Sequence, residues 1–258
     1  MKTNVIYNED CLEGMKRIPD NSIDMILADL PYGTTACKWD SIIPLDKLWK
    51  QYKRIIKDRG AIILTASQPF TTKIISGNME WFRYCWVWEK EQGVDPFMTK
   101  YRPLNNYEDV CVFYKKQSTY NPQMEEGEPY HTIRDKISRD YEITNTKMKM
   151  TETVNDGYRY PTRILEFKQE KGKHPTQKPV ALFEYLIKTY TNENEIVLDN
   201  VIGSGTTAVA CLSTNRKFIG FEKEEKYYNI ALKRIGKFDK KYYEELPDEE
   251  KPKQTQLF

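Results

Sequence analysis

The stretch from Glu195 to Glu222 constrains the fold most. Glu195-Ile196-Val197-Leu198-Asp199 is short, apolar and β-branched, and reads as a buried strand. Gly203-Ser204-Gly205 reads as a tight turn, Thr206 to Leu212 as the start of a helix rich in small residues, and Lys217-Phe218-Ile219-Gly220-Phe221 as a second strand closed by Glu222. Strand, helix and strand in that order make a βαβ unit. Its carboxyl edge is where open α/β sheets bind ligands, and the spacing of Glu222 is about that at which an acid holds ribose hydroxyls. A dinucleotide site asks for G-x-G-x-x-G, whereas Gly203-Ser204-Gly205 is followed by Thr206, Thr207 and Ala208, which weakens a hydride-transfer reading. A nucleoside ligand without a pyrophosphate stays open, with the two glycines allowing close approach, Asp199 for a cationic amino group and Glu222 for the ribose.

A second strand-then-turn lies near the other end of the chain. Ile23-Asp24-Met25-Ile26-Leu27-Ala28 reads as a strand that delivers Asp29 to its carboxyl end, followed by Leu30, Pro31 and Tyr32. Pro31 fixes its own φ and pushes Leu30 toward an extended conformation, so the turn is stiff and presents backbone carbonyls. Asp29 and a carbonyl of this turn then offer two acceptors to one amino group, beside a tyrosine ring able to lie on a flat heterocycle. That is a pocket for the exocyclic amine of a base. Taken alone, the same four residues also suit an ordinary strand-ending turn.

Several blocks together resemble the DNA amino-methyltransferases of the permuted (beta) class, in which the catalytic tetrapeptide precedes the S-adenosylmethionine loop. They are Glu9-Asp10-Cys11, Asp29-Leu30-Pro31-Tyr32-Gly33, His174-Pro175-Thr176-Gln177-Lys178-Pro179, Leu198-Asp199 with Gly203-Ser204-Gly205-Thr206-Thr207, and Gly220-Phe221-Glu222 with Tyr227 or Tyr228 beyond. They span almost the whole chain in the family's order. The resemblance implies a Rossmann-like, circularly permuted S-adenosylmethionine-dependent methyltransferase sheet of α/β class with an inserted target-recognition lobe. It implies double-stranded DNA as substrate and a base flipped out of the helix. Asp29, Leu30, Pro31 and Tyr32 become the catalytic set. Asp10, Cys11, Thr176, Lys178, Asp199, Val201, Gly203, Ser204, Gly205, Thr206 and Glu222 become cofactor contacts, with Thr176 and Lys178 at the methionine end.

Two positions depart from the family. Leu30 stands where proline is usual, so the turn is less rigid although its carbonyl still accepts; Asn200-Val201 replaces Pro-Phe, which gives the cofactor a smaller apolar contact and an altered affinity. Asp29 at the first tetrapeptide position resembles adenine N6 enzymes more than cytosine N4 enzymes. Adenine is therefore the expected base, with cytosine N4 transfer or a catalytically idle DNA-binding homologue as alternatives.

The rest of the chain organises around these blocks. A helix around Leu45 to Ile56, strands Ala61 to Thr65, Trp81 to Trp88 and Asp109 to Tyr114, and a helix after Pro69 complete a catalytic part over 1–114. Residues 115–170 interrupt the sheet with weak apolar periodicity. They carry Arg134, Lys136, Arg139, Lys147, Lys149, Arg159, Arg163 and Lys168 among Tyr141, Tyr158 and Tyr160, which suits a target-recognition lobe touching phosphates and base edges as well as a solvated surface. The cofactor part follows over 171–236, where Val180, Leu182, Phe183, Leu186, Ile187 and Tyr190 recur at helical spacing as core. A charged tail over 237–258 ends Gln254-Thr255-Gln256-Leu257-Phe258, which resembles peptides that dock on the sliding clamp; homodimerisation stays open. The net charge of +2 leaves nucleic-acid binding to local patches. No apolar run long enough for a bilayer, no leader pattern and an odd set of five cysteines without metal spacing fit a cytoplasmic protein of a bacterial or phage-infected cell, without a metal. Cytosine C5 chemistry needs a cysteine nucleophile, and Cys37, five residues past Tyr32 and without a preceding proline, is more simply a loop thiol.

Overall fold

The computed structural model describes residues 1–33, 41–94, 99–133, 152–170, 177–239 and 244. The expectations on Cys37, on Arg134 to Lys149, on His174 and Thr176 and on Gln254 to Phe258 fall outside them. The chain forms two compact units, one of residues 1–121 and 163–258 and a second of Pro122–Thr162. Among the described residues, no helix is long and apolar enough to cross a membrane.

The first unit is built on an eight-stranded sheet. Its strands are β1 (Val5–Tyr7), β2 (Ile23–Ala28), β3 (Ile56–Ala66), β4 (Phe82–Val94), β5 (Asn105–Phe113), β10 (Ile164–Glu166), β11 (Ile196–Asp199) and β12 (Lys217–Phe221), in the order β1-β12-β11-β2-β3-β5-β4-β10. β5 runs antiparallel to both its neighbours, and the remaining pairings are parallel. The decisive pairing is β11 with β2, in register at Val197 with Met25 and Leu198 with Ile26. A late strand and an early strand thereby become neighbours at the centre of the sheet, and their carboxyl ends carry Asp199 and Asp29.

Side-chain alternation explains why both faces are covered. On one face Met25, Leu27, Ile63 and Val197 pack under α4 (Val180–Tyr190), α5 (Thr206–Ser213) and α6 (Glu225–Phe238). On the other, Ile26, Ala28, Ile62, Leu64 and Leu198 pack under α1 (Cys11–Met15), α2 (Leu45–Ile55) and α3 (Phe70–Ser76). Asn200, where the resemblance leads one to expect proline, ties the second face together: its carbonyl accepts the Tyr52 hydroxyl at 2.5 Å and its amide donates to the Cys11 sulfur at 3.5 Å.

Local patterning placed these elements but misjudged several lengths. β3 begins at Ile56 and not at Ala61, because Ile56 already pairs with Ile23 across a register shift. β4 runs past Trp88 to Val94, and β5 starts before Asp109 at Asn105, since each supplies the other's backbone hydrogen bonds through a polar stretch with no apolar signal. The inserted unit is also shorter than the 115–170 expected from composition. Asn121 belongs to the main unit, where its amide caps the end of α4 at the Lys188 and Thr191 carbonyls, 3.1 and 3.0 Å away. Ile164–Glu166 adds to the sheet beside β4, and α6 continues two residues past the boundary placed at 236.

The second unit contains two antiparallel ribbons. β6 (Glu125–Glu126) pairs with β9 (Tyr158–Arg159), and β7 (Tyr130–Ile133) with β8 (Glu152–Asn155). Tyr130, Tyr158 and Tyr160 are exposed on it, and the Arg159 guanidinium lies 4.8 Å from the centre of the Tyr130 ring.

Candidate active site

Asp29 follows directly on β2, and among the described residues every acceptor position but one on its carboxylate is taken. Oδ1 accepts the Tyr32 hydroxyl at 2.8 Å and the Thr65 hydroxyl at 2.5 Å, while Oδ2 accepts the Lys178 ammonium at 2.7 Å. With about two lone pairs per oxygen, the described residues leave one acceptor position, on Oδ2. The Asp29 side chain keeps 25% of its surface exposed, whereas Lys178 keeps 6%.

Lys178, at the entry to α4, also reaches Glu108 Oε2 at 3.1 Å, and Glu108 Oε1 accepts Lys90 at 2.5 Å. Burial works to strip Lys178 of its proton, but the Asp29 and Glu108 carboxylates outweigh it and its pKa is raised. Burial likewise opposes charge on Glu108, and Lys178 and Lys90 outweigh it, so its pKa is lowered. Acidic and basic side chains thus alternate along Lys90, Glu108, Lys178 and Asp29. The Tyr32 ring is stacked on Phe70 at 5.2 Å, and burial, ahead of the nearby Asp29 and Glu108 charges, holds its hydroxyl protonated.

Leu30 departs from the family's proline with a visible consequence. Its side chain is 3% exposed and packs in the core under α1 to α3, so the turn is anchored by burial where a pyrrolidine ring would stiffen it. Leu30→Ala is expected to cost about 2–5 kcal/mol of unfolding free energy, read by denaturant titration.

The second carboxylate site lies at the neighbouring strand end. Asp199 is buried, its Oδ1 accepting the Val201 amide at 3.0 Å and its Oδ2 the Thr207 hydroxyl. Desolvation pushes its carboxyl up to about 7 against those two hydrogen bonds. Glu222 follows β12 and accepts the Gly203 amide at 3.0 Å and the Glu224 amide at 2.8 Å; burial raises its pKa despite both. Gly203 and Gly205 take φ of +54° and +84°, the left-handed region that favours glycine. A Cβ on Gly205 would press on Ala231 at 3.1 Å, while one on Gly203 would meet, among the described residues, only the Val201 carbonyl at 3.8 Å. One buried and one half-buried carboxylate flanking a glycine turn fit a ligand that carries an ammonium group at one end and vicinal hydroxyls at the other.

The other expected contacts are distributed around this turn. Asp10 caps α1 by accepting the Leu12 amide at 2.9 Å, and Lys223 reaches it at 3.9 Å. The Cys11 thiol is turned inward to Asn200 and burial pushes it up to about 11, leaving its backbone as the group able to meet a ligand. Arg234 donates to the Thr206 hydroxyl at 2.8 Å and to the Ser204 hydroxyl at 3.3 Å, so both side chains brace the turn. Val201 packs against the core at the edge of the site. Lys178, expected at the cofactor, is on Asp29. Thr65, Glu108, Lys90 and Phe70 were missed. Lys90 and Glu108 lie in the polar ends of their strands, Glu89-Lys90-Glu91-Gln92 and Asn105-Asn106-Tyr107-Glu108-Asp109, where no local pattern marks the pair.

A permuted Rossmann-like sheet with an acceptor-rich turn beside a glycine turn defines a methyltransferase fold of the amino-directed kind. The chain belongs to the N6/N4 family described as DNA methylase, whose profile matches residues 23–233. It is 30% identical over 263 residues to the Type II methyltransferase M.HinfI of Haemophilus influenzae, covering 90% of this chain and 68% of that protein. The crystal structure of the M1.HpyAVI–SAM complex is similar with a TM-score of 0.61 and 26% identity, covering 89% of this chain and 98% of that one. The cytosine-N4-specific PvuII DNA methyltransferase shares the fold at a TM-score of 0.63 and 15% identity, over 95% of this chain and 94% of that one.

Proposed function

We propose that this protein transfers a methyl group from S-adenosylmethionine to N6 of an adenine flipped out of duplex DNA at a specific sequence. The observation that carries the reading is the juxtaposition of Asp29 and Asp199 at the ends of neighbouring strands, the first with a single open acceptor. Bound S-adenosylmethionine supplies an electrophilic methyl group on a sulfonium that leaves as a thioether. Asp199 holds its ammonium group, Glu222 its ribose hydroxyls, and the Gly203-Ser204-Gly205 turn lets it lie against the backbone.

An exocyclic amine is a poor nucleophile because its lone pair is delocalised into the ring. Asp29 Oδ2 and the Leu30 carbonyl each accept one amino hydrogen, which draws the nitrogen toward tetrahedral geometry and frees the lone pair for in-line attack. The same acceptors stabilise the positive charge that grows on the nitrogen as the new bond forms. Tyr32 supports the base with the ring face turned away from Phe70. Positioning of this kind contributes on the order of 7–11 kcal/mol to such a step. Extraction of the base costs a few kcal/mol, which the exposed tyrosines and Arg159 of the 122–162 unit offset through contacts to the displaced duplex.

Adenine is favoured over cytosine by the aspartate at the first tetrapeptide position. Nucleoside analysis of DNA incubated with the protein and S-adenosylmethionine checks this: N6-methyladenine is expected, and N4-methylcytosine alone would overturn it. For the tail, deletion of Gln254 to Phe258 is expected to abolish binding to a bacterial sliding clamp, and unchanged binding dismisses that part of the reading.

A further inference from the structure

The Asp29 pair is one end of a longer chain of charge. Lys90 and Lys178 are buried on either side of Glu108, and Lys178 divides its ammonium hydrogens between Glu108 at 3.1 Å and Asp29 at 2.7 Å. Tyr32 adds a cross-link, its hydroxyl 2.8 Å from Asp29 and 3.3 Å from Glu108. Glu108 on β5 and Lys90 on β4 lie one and two strands further from Asp29 than Thr65 on β3. An ion pair made of Lys178 and Asp29 alone would satisfy charge balance. A second buried carboxylate with its own lysine goes beyond that need, and burying two further charges is costly unless they do something for the first pair.

We infer that Glu108, held by Lys90, is a positioning residue that draws Lys178 partly away from Asp29 and so leaves Asp29 a strong acceptor for the base amino group. Without Glu108 the Lys178 ammonium rests on Asp29 alone, its charge quenches the one open acceptor, and a full positive charge faces the cation forming on the base nitrogen. With Glu108 the four groups sum to zero and the field at the base is set by the Asp29 oxygen nearest to it. Glu108 and Lys90 act through Lys178 without touching substrate. The inference rests on the reading of Asp29 as the amine acceptor.

Two variants separate this role from a merely structural one. Glu108→Gln leaves Lys90 buried and unpaired, so both thermal stability and kcat are expected to fall, kcat by about a hundred-fold as for a misplaced reacting group. Lys90→Met restores charge balance when combined with Glu108→Gln. In that double variant thermal stability is expected to return toward that of the unaltered protein while kcat stays low, with KM for DNA and the dissociation constant for S-adenosylmethionine changed less than about three-fold. Recovery of kcat together with stability would overturn the inference, since the network would then serve folding alone. An unimpaired Glu108→Gln variant of an active protein would also overturn it. No methyl transfer to DNA by the unaltered protein would instead fail the reading of Asp29, and the inference with it.

Discussion

Replacing Asp29 with alanine is expected to abolish methyl transfer, lowering kcat by about a thousand-fold, while the dissociation constant for S-adenosylmethionine stays within a few-fold. Loss of one preorganised hydrogen-bonding group at a developing charge costs about 10²–10³ in rate. Here the loss is compounded, because Tyr32, Thr65 and Lys178 all lose the carboxylate on which they converge. Asp29→Asn sharpens the test. Its carbonyl can still accept the two hydroxyls, but its amide then meets the Lys178 ammonium donor to donor and offers nothing to a base. The asparagine variant is therefore expected to be as inactive as alanine. Calorimetric binding of the cofactor and single-turnover transfer of a tritiated methyl group measure the two effects apart; full activity in either variant rejects the assigned role.

The second large effect is expected at Asp199. Asparagine there keeps the Val201 bond through its carbonyl and meets Thr207 with the direction reversed, its amide donating to the hydroxyl oxygen, so the turn is preserved and the charge is lost. Cofactor affinity is expected to fall about ten- to a hundred-fold, the equivalent of a charge-assisted hydrogen bond of about 1.5–3 kcal/mol. The pH dependence carries a sign. Burial raises the Asp199 carboxyl to about 7, so below that pH binding of an ammonium group must expel a proton, and affinity drops about ten-fold per unit. Above about 7 the affinity levels off. The same raised carboxyl means that the native state binds the proton more tightly than the unfolded chain, so stability declines as pH rises from about 4 toward 7 and is flat beyond. Asp199→Asn is expected to remove both slopes, which isothermal titration and thermal melts across pH 5 to 9 record.

Leu30 shows where reading a motif falls short of reading a structure. The sequence marks it as a looser substitute for proline, whereas its buried side chain holds the turn by a different means. Asn200 shows the same thing, since its place in the loop after β11 hides a hydrogen bond to Tyr52 on a helix far away in sequence. Lys178 was legible as part of a block, but its buried partners Asp29 and Glu108 come from segments far away in sequence.

What the sequence determined by itself is local in cause. β-branched apolar runs specify β2, β11 and β12, acids at their ends follow from position in the chain, and the Gly203 and Gly205 turn is legible because only glycine takes those φ values readily. What only the tertiary structure decided is which distant pieces meet. Pairing of β11 with β2 sets Asp199 beside Asp29, and the strand order β2-β3-β5-β4 lines up Asp29, Thr65, Glu108 and Lys90 across the sheet. Those contacts depend on register and strand order, which are fixed by burying both faces of the whole sheet at once. No residue's immediate neighbours in sequence carry that information.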